Sequence, residues 1–141
     1  MLKNIINTDQ AKTTIIIRVM VGMVFLSEGL QKFLFPAIRG TGRFTKIGLP
    51  NPIFLGDLVG TFEILCGILI LLGILTRLAS SVTLVIMITA LVTTKLKIFI
   101  NDGFWVMVHG ARTDYAMLLG SIFLIIKGGG YWSVDRTLSK P

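Results

Sequence analysis

A chain of 141 residues with 53% hydrophobic and 15% charged residues, and a mean hydropathy of +0.82, is too apolar for an ordinary soluble domain. Its formal charge of +7 comes from Lys and Arg scattered over segment ends and loops, without a basic block interleaved with aromatics, which argues against nucleic acid and for anionic lipid headgroups. The single cysteine, Cys66, excludes an internal disulfide, a CxxC redox pair and a cysteine-based zinc site built from this chain alone.

A membrane-crossing helix needs about 20 apolar residues, so the chain has room for about four, as one unit over residues 1–141. The first predicted span, residues 14–35, contains Arg18 and lacks a small-residue cleavage pattern, so it reads as a retained helix and not a cleaved signal. A Pro/Gly/basic connection, "RGTGRFTKIGLPNP", follows and is expected outside the hydrocarbon. Residues 53–75 form the second span and 78–94 the third, joined by a short turn at Thr76-Arg77 that makes them antiparallel neighbours. "IFINDGFWVMVHGART" is too interrupted to span and is expected at the membrane surface. The fourth span is placed over residues 112–127. Gly128, Gly129 and Gly130 end it, and Tyr131 and Trp132 suit the interfacial belt.

The fold class expected is therefore all-α, an integral membrane four-helix up-and-down bundle in the cell membrane. The two sides carry equal numbers of basic residues, so the positive-inside rule does not orient it; N-in is the working expectation. Assembly as a homo-oligomer is left open by the sequence.

This topology gathers the polar residues in one half of the membrane: Glu28 and Lys32 from span one, Asp57 and Glu63 from span two, and His109, Arg112 and Asp114 around the start of span four. Gly56, Gly60, Glu63 and Gly67 recur with helical spacing, as do Gly22, Phe25, Gly29 and Lys32, so Glu63 and Lys32 are expected to face the bundle along glycine seams. Glu28 and Lys32 have the favourable i,i+4 order for an ion pair. Glu63 has no basic partner on its own helix; Lys32 or Arg112 from a neighbour could supply one.

Each residue has a plain reading beside a functional one. The Glu28–Lys32 pair could only fix packing, whereas the depth of Glu63 favours function. Asp114 could serve only to begin span four. His109, the sole histidine, excludes bis-His haem ligation within one subunit and is either an interfacial side chain or a proton exchanger. Trp105 is a belt residue or a ring stacked on a cofactor. Arg39, Arg43 and Lys46 face headgroups or bind an anionic substrate.

The pieces "FLSEGLQKF", "FTKIGLP", "ILLGILTRLAS", "HGARTDYAMLLGSIFLII" and "GGGYWSVD", in this order from about Arg18 to Asp135, resemble the DoxX/DoxD family of small membrane proteins. The resemblance implies a four-helix membrane bundle, and in some members a subunit of thiosulfate:quinone oxidoreductase or a partner of redox-stress enzymes. The family's polar pattern falls here on Glu28, Lys32, Glu63 and Asp114-Tyr115. Asp114 stands where Glu is the more usual residue, and the glycine run departs from a Gly-x-Gly form.

The leading functional expectation is a membrane component of quinone-linked redox chemistry, with no covalent cofactor. Glu63, Glu28, Lys32 and His109 are the candidate proton-transfer or polar contact groups, and Lys32, Glu63, Arg112, Asp114 and Trp105 the candidate quinone contacts. The sequence offers neither a flavin fingerprint nor a dithiol, so a redox partner protein or the substrate itself would supply electrons. A non-catalytic membrane scaffold is the alternative, and small-solute or proton transport a weaker one, because the polar residues occupy only one half of the bundle.

Overall fold

Long helices packed in up-and-down order build the computed structural model, which describes residues 6–139. Helix α1 covers Thr14–Leu34, the short α2 covers Thr41–Ile47, α3 Pro52–Leu72 and α4 Thr76–Ala90. One π-helical turn, Leu91–Lys95, carries α4 into α5 at Leu96–Asp102. Helix α6 then runs over Phe104–Lys127, and α7 over Val134–Ser139. Among the described residues there is no strand.

Three helical segments, α1, α3 and the continuous α4–α5 stretch, are long and apolar enough to cross a membrane. Helix α6 has 24 residues, about 36 Å of rise, against a hydrocarbon core of about 30 Å. Each of α1 and α4 packs on both α3 and α6, which closes the four-helix ring. The apolar core sits between them: Val21, Phe25, Cys66, Ile70, Ala79, Met117 and Leu124 are buried.

Local chemistry sets the helix ends, and several differ from the sequence expectation. The turn between α3 and α4 lies at Gly73–Leu75, not at Thr76-Arg77. Gly73 adopts a left-handed conformation (φ 71°), with its N–H on the Ile70 carbonyl and the Ile74 N–H on that of Leu69, the geometry of a Schellman cap. The fourth long helix starts upstream of Arg112, at Phe104, because Gly103 (φ 89°, ψ 172°) is the breaker between α5 and α6. Consequently "IFINDGFWVMVHGART", expected as an interrupted stretch at the membrane surface, is two helical segments meeting at Gly103. The connection after α1 contains α2, a helix not anticipated; Gly48 (φ 75°) closes it and Pro52 opens α3. Gly128 also has a positive φ (75°), but its ψ of −160° makes it a sharp exit and not a left-handed cap.

The glycine seams fix the register of α1 against α3. A Cβ on Gly29 would lie 2.8 Å from the Gly60 carbonyl oxygen, and one on Gly67 would lie 2.7 Å from the Leu26 nitrogen and 3.0 Å from the Gly22 oxygen. Only glycine permits this backbone approach.

A second polar cluster ties the terminal end together. Arg18, 2% exposed, donates to the carbonyls of Ile70 (2.9 Å), Leu71 (2.6 Å), Gly129 (3.0 Å) and Trp132 (2.5 Å). Two of these are C-terminal carbonyls of α3: that of Ile70 is shared with the Gly73 N–H, and that of Leu71 is met by Arg18. The Asp135 carboxylate accepts from the N–H groups of Leu75 (2.7 Å) and Thr76 (2.9 Å), so it caps α4 from a distant part of the chain. Leu75 is held there at φ 47°, unfavourable for a branched side chain. The N-terminal segment joins the same end, with the Asp9 N–H on the Lys127 carbonyl (2.8 Å) and the Tyr131 N–H on that of Ala11 (3.2 Å).

Replacing Asp135 by Ala should destabilise the fold by about 1–2 kcal/mol, the usual cost of a lost cap, read as a lower thermal midpoint in detergent. Asp9 pairs with Lys127 at 2.8 Å, and that hydrogen bond holds its carboxyl below the ordinary value. The pair's contribution is therefore complete above the unfolded carboxylate pKa and fades as pH falls through the lower folded one. In an NMR titration, Lys127→Met should move the Asp9 midpoint up; an unmoved midpoint would remove Lys127 as its cause.

Candidate functional site

In the register set by the glycine contacts, Glu63 lies opposite the turn of α1 from Leu26 to Leu30, on the N-terminal side of Lys32. Side chains on a helix lean toward its N-terminus, so across an antiparallel pair Lys32 and Glu63 lean toward each other. They meet with Lys32 Nζ 2.5 Å from Glu63 Oε2, their side chains 8% and 4% exposed.

The Glu28–Lys32 pair expected along α1 does not form; among the described residues Glu28 makes no ion pair. Pairing Lys32 with half-buried Glu28 would strand the deeper Glu63 without a partner, the costlier outcome. Glu28 instead faces a cavity of about 800 Å³ together with Lys32 and Glu63.

Asp114 also reaches the cavity, but not as a helix start. It sits inside α6 and pairs with Lys95 at 3.0 Å, while Lys95 also donates to the Gly110 carbonyl at 2.7 Å. Lys95 comes from the π-turn. Arg39 and Arg43 line the loop-side end of the cavity. Arg43 is placed by α2, which rests on α3 where a Cβ on Gly56 would lie 3.3 Å from the Thr41 nitrogen. The Lys97 ammonium holds the far end of α2 through the Ile47 carbonyl at 2.5 Å.

Away from these charges the walls are apolar. Val59, Phe62, Val82 and Val85 line a flank between α3 and α4, and Phe62 and Val85 are themselves exposed on the bundle's outer surface. The cavity thus reaches both a charged end and a lipid-facing seam.

The other sequence candidates lie outside the lining. His109 is exposed and makes its ring-nitrogen contact with Arg112 Nη1 at 2.8 Å, one turn along the same helix. Trp105 is 80% exposed and packs edge-on against Phe104. Tyr115 points outward. Asp57 is exposed as well. Among the described residues no group of His, Cys, Asp or Glu is arranged to hold a metal ion.

Two features escaped the sequence reading. Lys95 looked like an interface marker, because its approach to Asp114 depends on the π-turn. Arg18 was read only as part of the first span and Asp135 only as the end of the resemblance; the signal available was an arginine set among seven apolar or β-branched neighbours in "TIIIRVMV".

A small all-α membrane protein with a one-sided polar cavity is the class this fold and site define. The chain belongs to the DoxX family, whose model matches residues 13–96. It is 50% identical over 142 residues to "Uncharacterized membrane protein Rv3486" of Mycobacterium tuberculosis (strain ATCC 25618 / H37Rv), covering 96% of this chain and 87% of that protein. It is 32% identical over 129 residues to "Putative oxidoreductase CatD" of Bacillus subtilis (strain 168), covering 90% and 87% of the two chains. No solved structure matches.

Removing one member of a buried ion pair leaves the other uncompensated. Lys32→Met should therefore cost about 3–5 kcal/mol, and Lys32→Met with Glu63→Leu should recover most of it. Denaturant titration in mixed micelles measures both; a double variant no better than the single one would show that the two charges are not coupled.

Proposed function

We propose that this chain is a membrane subunit of a quinone-linked oxidoreductase or redox-stress complex, with the cavity at Lys32, Glu63 and Glu28 as its quinone site. The observation that carries the reading is the shape of that cavity: charged at one end, apolar along its flank and continuous with the lipid-facing seam at Phe62 and Val85. A lipid-soluble molecule with a polar ring and an apolar tail fits such a space. The word oxidoreductase in the name of the Bacillus subtilis relative supports the same direction.

Bound quinone supplies the two-electron, two-proton chemistry. Within the chain, the Lys32 ammonium is placed to donate to a ring oxygen and to stabilise negative charge there. Its pairing with Glu63 holds the ammonium at a fixed position. Glu28, lining the same cavity without an ion-pair partner among the described residues, is the free carboxyl for passing protons to and from the polar end. Apolar walls keep bulk water from the ring. Electrons come from a redox partner protein, and the chain sits in the cell membrane with its N-terminus inside, its loop-side Arg39 and Lys46 toward anionic headgroups.

Protein purified gently from its native membrane should carry near-stoichiometric quinone by extraction and chromatography. Lys32→Met at matched yield should lower that content by about tenfold, equivalent to one lost charge-assisted hydrogen bond. Wild-type protein free of quinone, with partner proteins still co-purifying, would overturn the redox reading in favour of a scaffold.

A further inference from the structure

The four-helix ring consists of two tight hairpins facing each other: α1 packs most extensively on α3, and α4 on α6. The hairpins bury their side chains in the same pattern. Thr14, Arg18 and Val21 are buried at i, i+4 and i+7 along α1, and Thr76, Ser80 and Thr83 at the same spacing along α4. On the returning helix of the first hairpin Gly60, Glu63, Cys66 and Ile70 are buried. With the same spacing, α6 buries Ala111, Met117 and Ser121, and sets Asp114, its side chain 21% exposed, in the place of Glu63.

The correspondence extends to charge. Lys32 stands 18 residues after Thr14, and Lys95 stands 19 after Thr76, the π-turn at Leu91–Lys95 taking up the additional residue. Each lysine pairs with the matching acid of its returning helix, Lys32 with Glu63 and Lys95 with Asp114. Hairpins so matched, both starting at the terminal end, are related by an approximate two-fold axis along the bundle, and such an axis is where repeated helix units place their ligand sites. The two ion pairs belong to opposite walls, and both line the cavity between them.

Lysines near helix ends ordinarily extend to the headgroups. Lys97 is exposed in that manner, whereas Lys95 turns inward with its side chain 13% exposed. An ammonium has three N–H donors. Asp114 at 3.0 Å and the Gly110 carbonyl at 2.7 Å take two of those on Lys95, and Glu63 takes one of those on Lys32. Among the described residues, each ammonium therefore keeps a donor to spare at the cavity wall. A link between helices accounts for the bonds that are made, but not for turning the remaining donors into a cavity.

We propose that Lys95 is the second polar contact for the cavity's ligand, so that a flat ring with an oxygen at each of two opposite ends is held between Lys32 and Lys95. This inference rests on the quinone reading and narrows it to para-quinones, whose two carbonyl oxygens point in opposite directions. A ring with its oxygens side by side engages one lysine only. Glu63 and Asp114 hold the two ammonium groups in position. The apolar tail leaves by the flank at Val59, Phe62, Val82 and Val85, the seam where the two hairpins meet.

The test uses the full-length protein in micelles, stripped of lipid-soluble ligands, with a short-tailed para-benzoquinone isotopically labelled at one carbonyl or the other. Infrared spectra of the bound quinone should show both carbonyl stretches below their position in apolar solvent. Lys95→Met combined with Asp114→Leu removes the ion pair as a unit. It should return one stretch to the unbound position, leave the other shifted, and weaken binding in equilibrium dialysis by about tenfold, as for one lost charge-assisted hydrogen bond. A phenol with the same tail, lacking the second oxygen, should bind wild type and variant alike. Quinone bound to wild type with one stretch unshifted, or to the folded variant with both still shifted, would overturn the clamp and leave the quinone site standing. A wild type that binds no quinone would overturn both. The wild-type spectrum decides the matter if the double variant does not fold.

Discussion

An ammonium and a carboxylate buried between α1 and α3 cannot be left apart, and much of the bundle follows from that requirement. The Lys32–Glu63 contact needs two antiparallel helices in one register and at close range, which the glycines at 22, 29, 60 and 67 provide. The glycines gain little on their own, since they offer no side chain to pack. Together with the ion pair they specify a single arrangement, because a slip by one turn would separate the charges and drive backbone against side chain. The same arrangement leaves Glu28 at the cavity wall.

The opposite end meets a different demand. Helix termini expose N–H and C=O groups that must find partners where lipid offers none. Arg18 reaches four carbonyls with one side chain, and Asp135 serves the first N–H groups of α4. Both belong to segments far from the helices they complete. The glycine run at 128–130 is needed because the chain passes against Thr8, Thr14, Thr76 and Ser133 with no room for side chains. One end of the molecule is thus fastened by backbone satisfaction and the other by side-chain charge.

Much of this was legible in the residues. Hydropathy gave the helical membrane architecture, and the i, i+4, i+7 recurrence of glycines put Glu63 and Lys32 on the facing seams. What the pattern did not disclose depended on tertiary geometry. Along α1 alone, Glu28 is the natural partner of Lys32; only the closely packed antiparallel neighbour brings the deeper Glu63 within reach and makes it the better one. The start of α6 was placed too late because Arg112 and Asp114 looked like a boundary, whereas Lys95 gives Asp114 a partner within the helix. Helix α2 was hidden in a Gly- and Pro-rich stretch whose stability comes from docking on Gly56 and from Lys97.

The π-turn at Leu91–Lys95 carries its own implication for how such a chain could diversify. A π-turn is an α-helix that has absorbed one additional residue by widening, so losing a single residue there would restore ordinary winding and leave the helix beyond it nearly in phase. Only the side chains on the widened turn itself, Lys95 among them, would change their facing, while α1, α3 and their charges stayed in place. Two chains alike in every polar residue could thus differ in the charge presented at the cavity, through nothing more than the length of one helical turn.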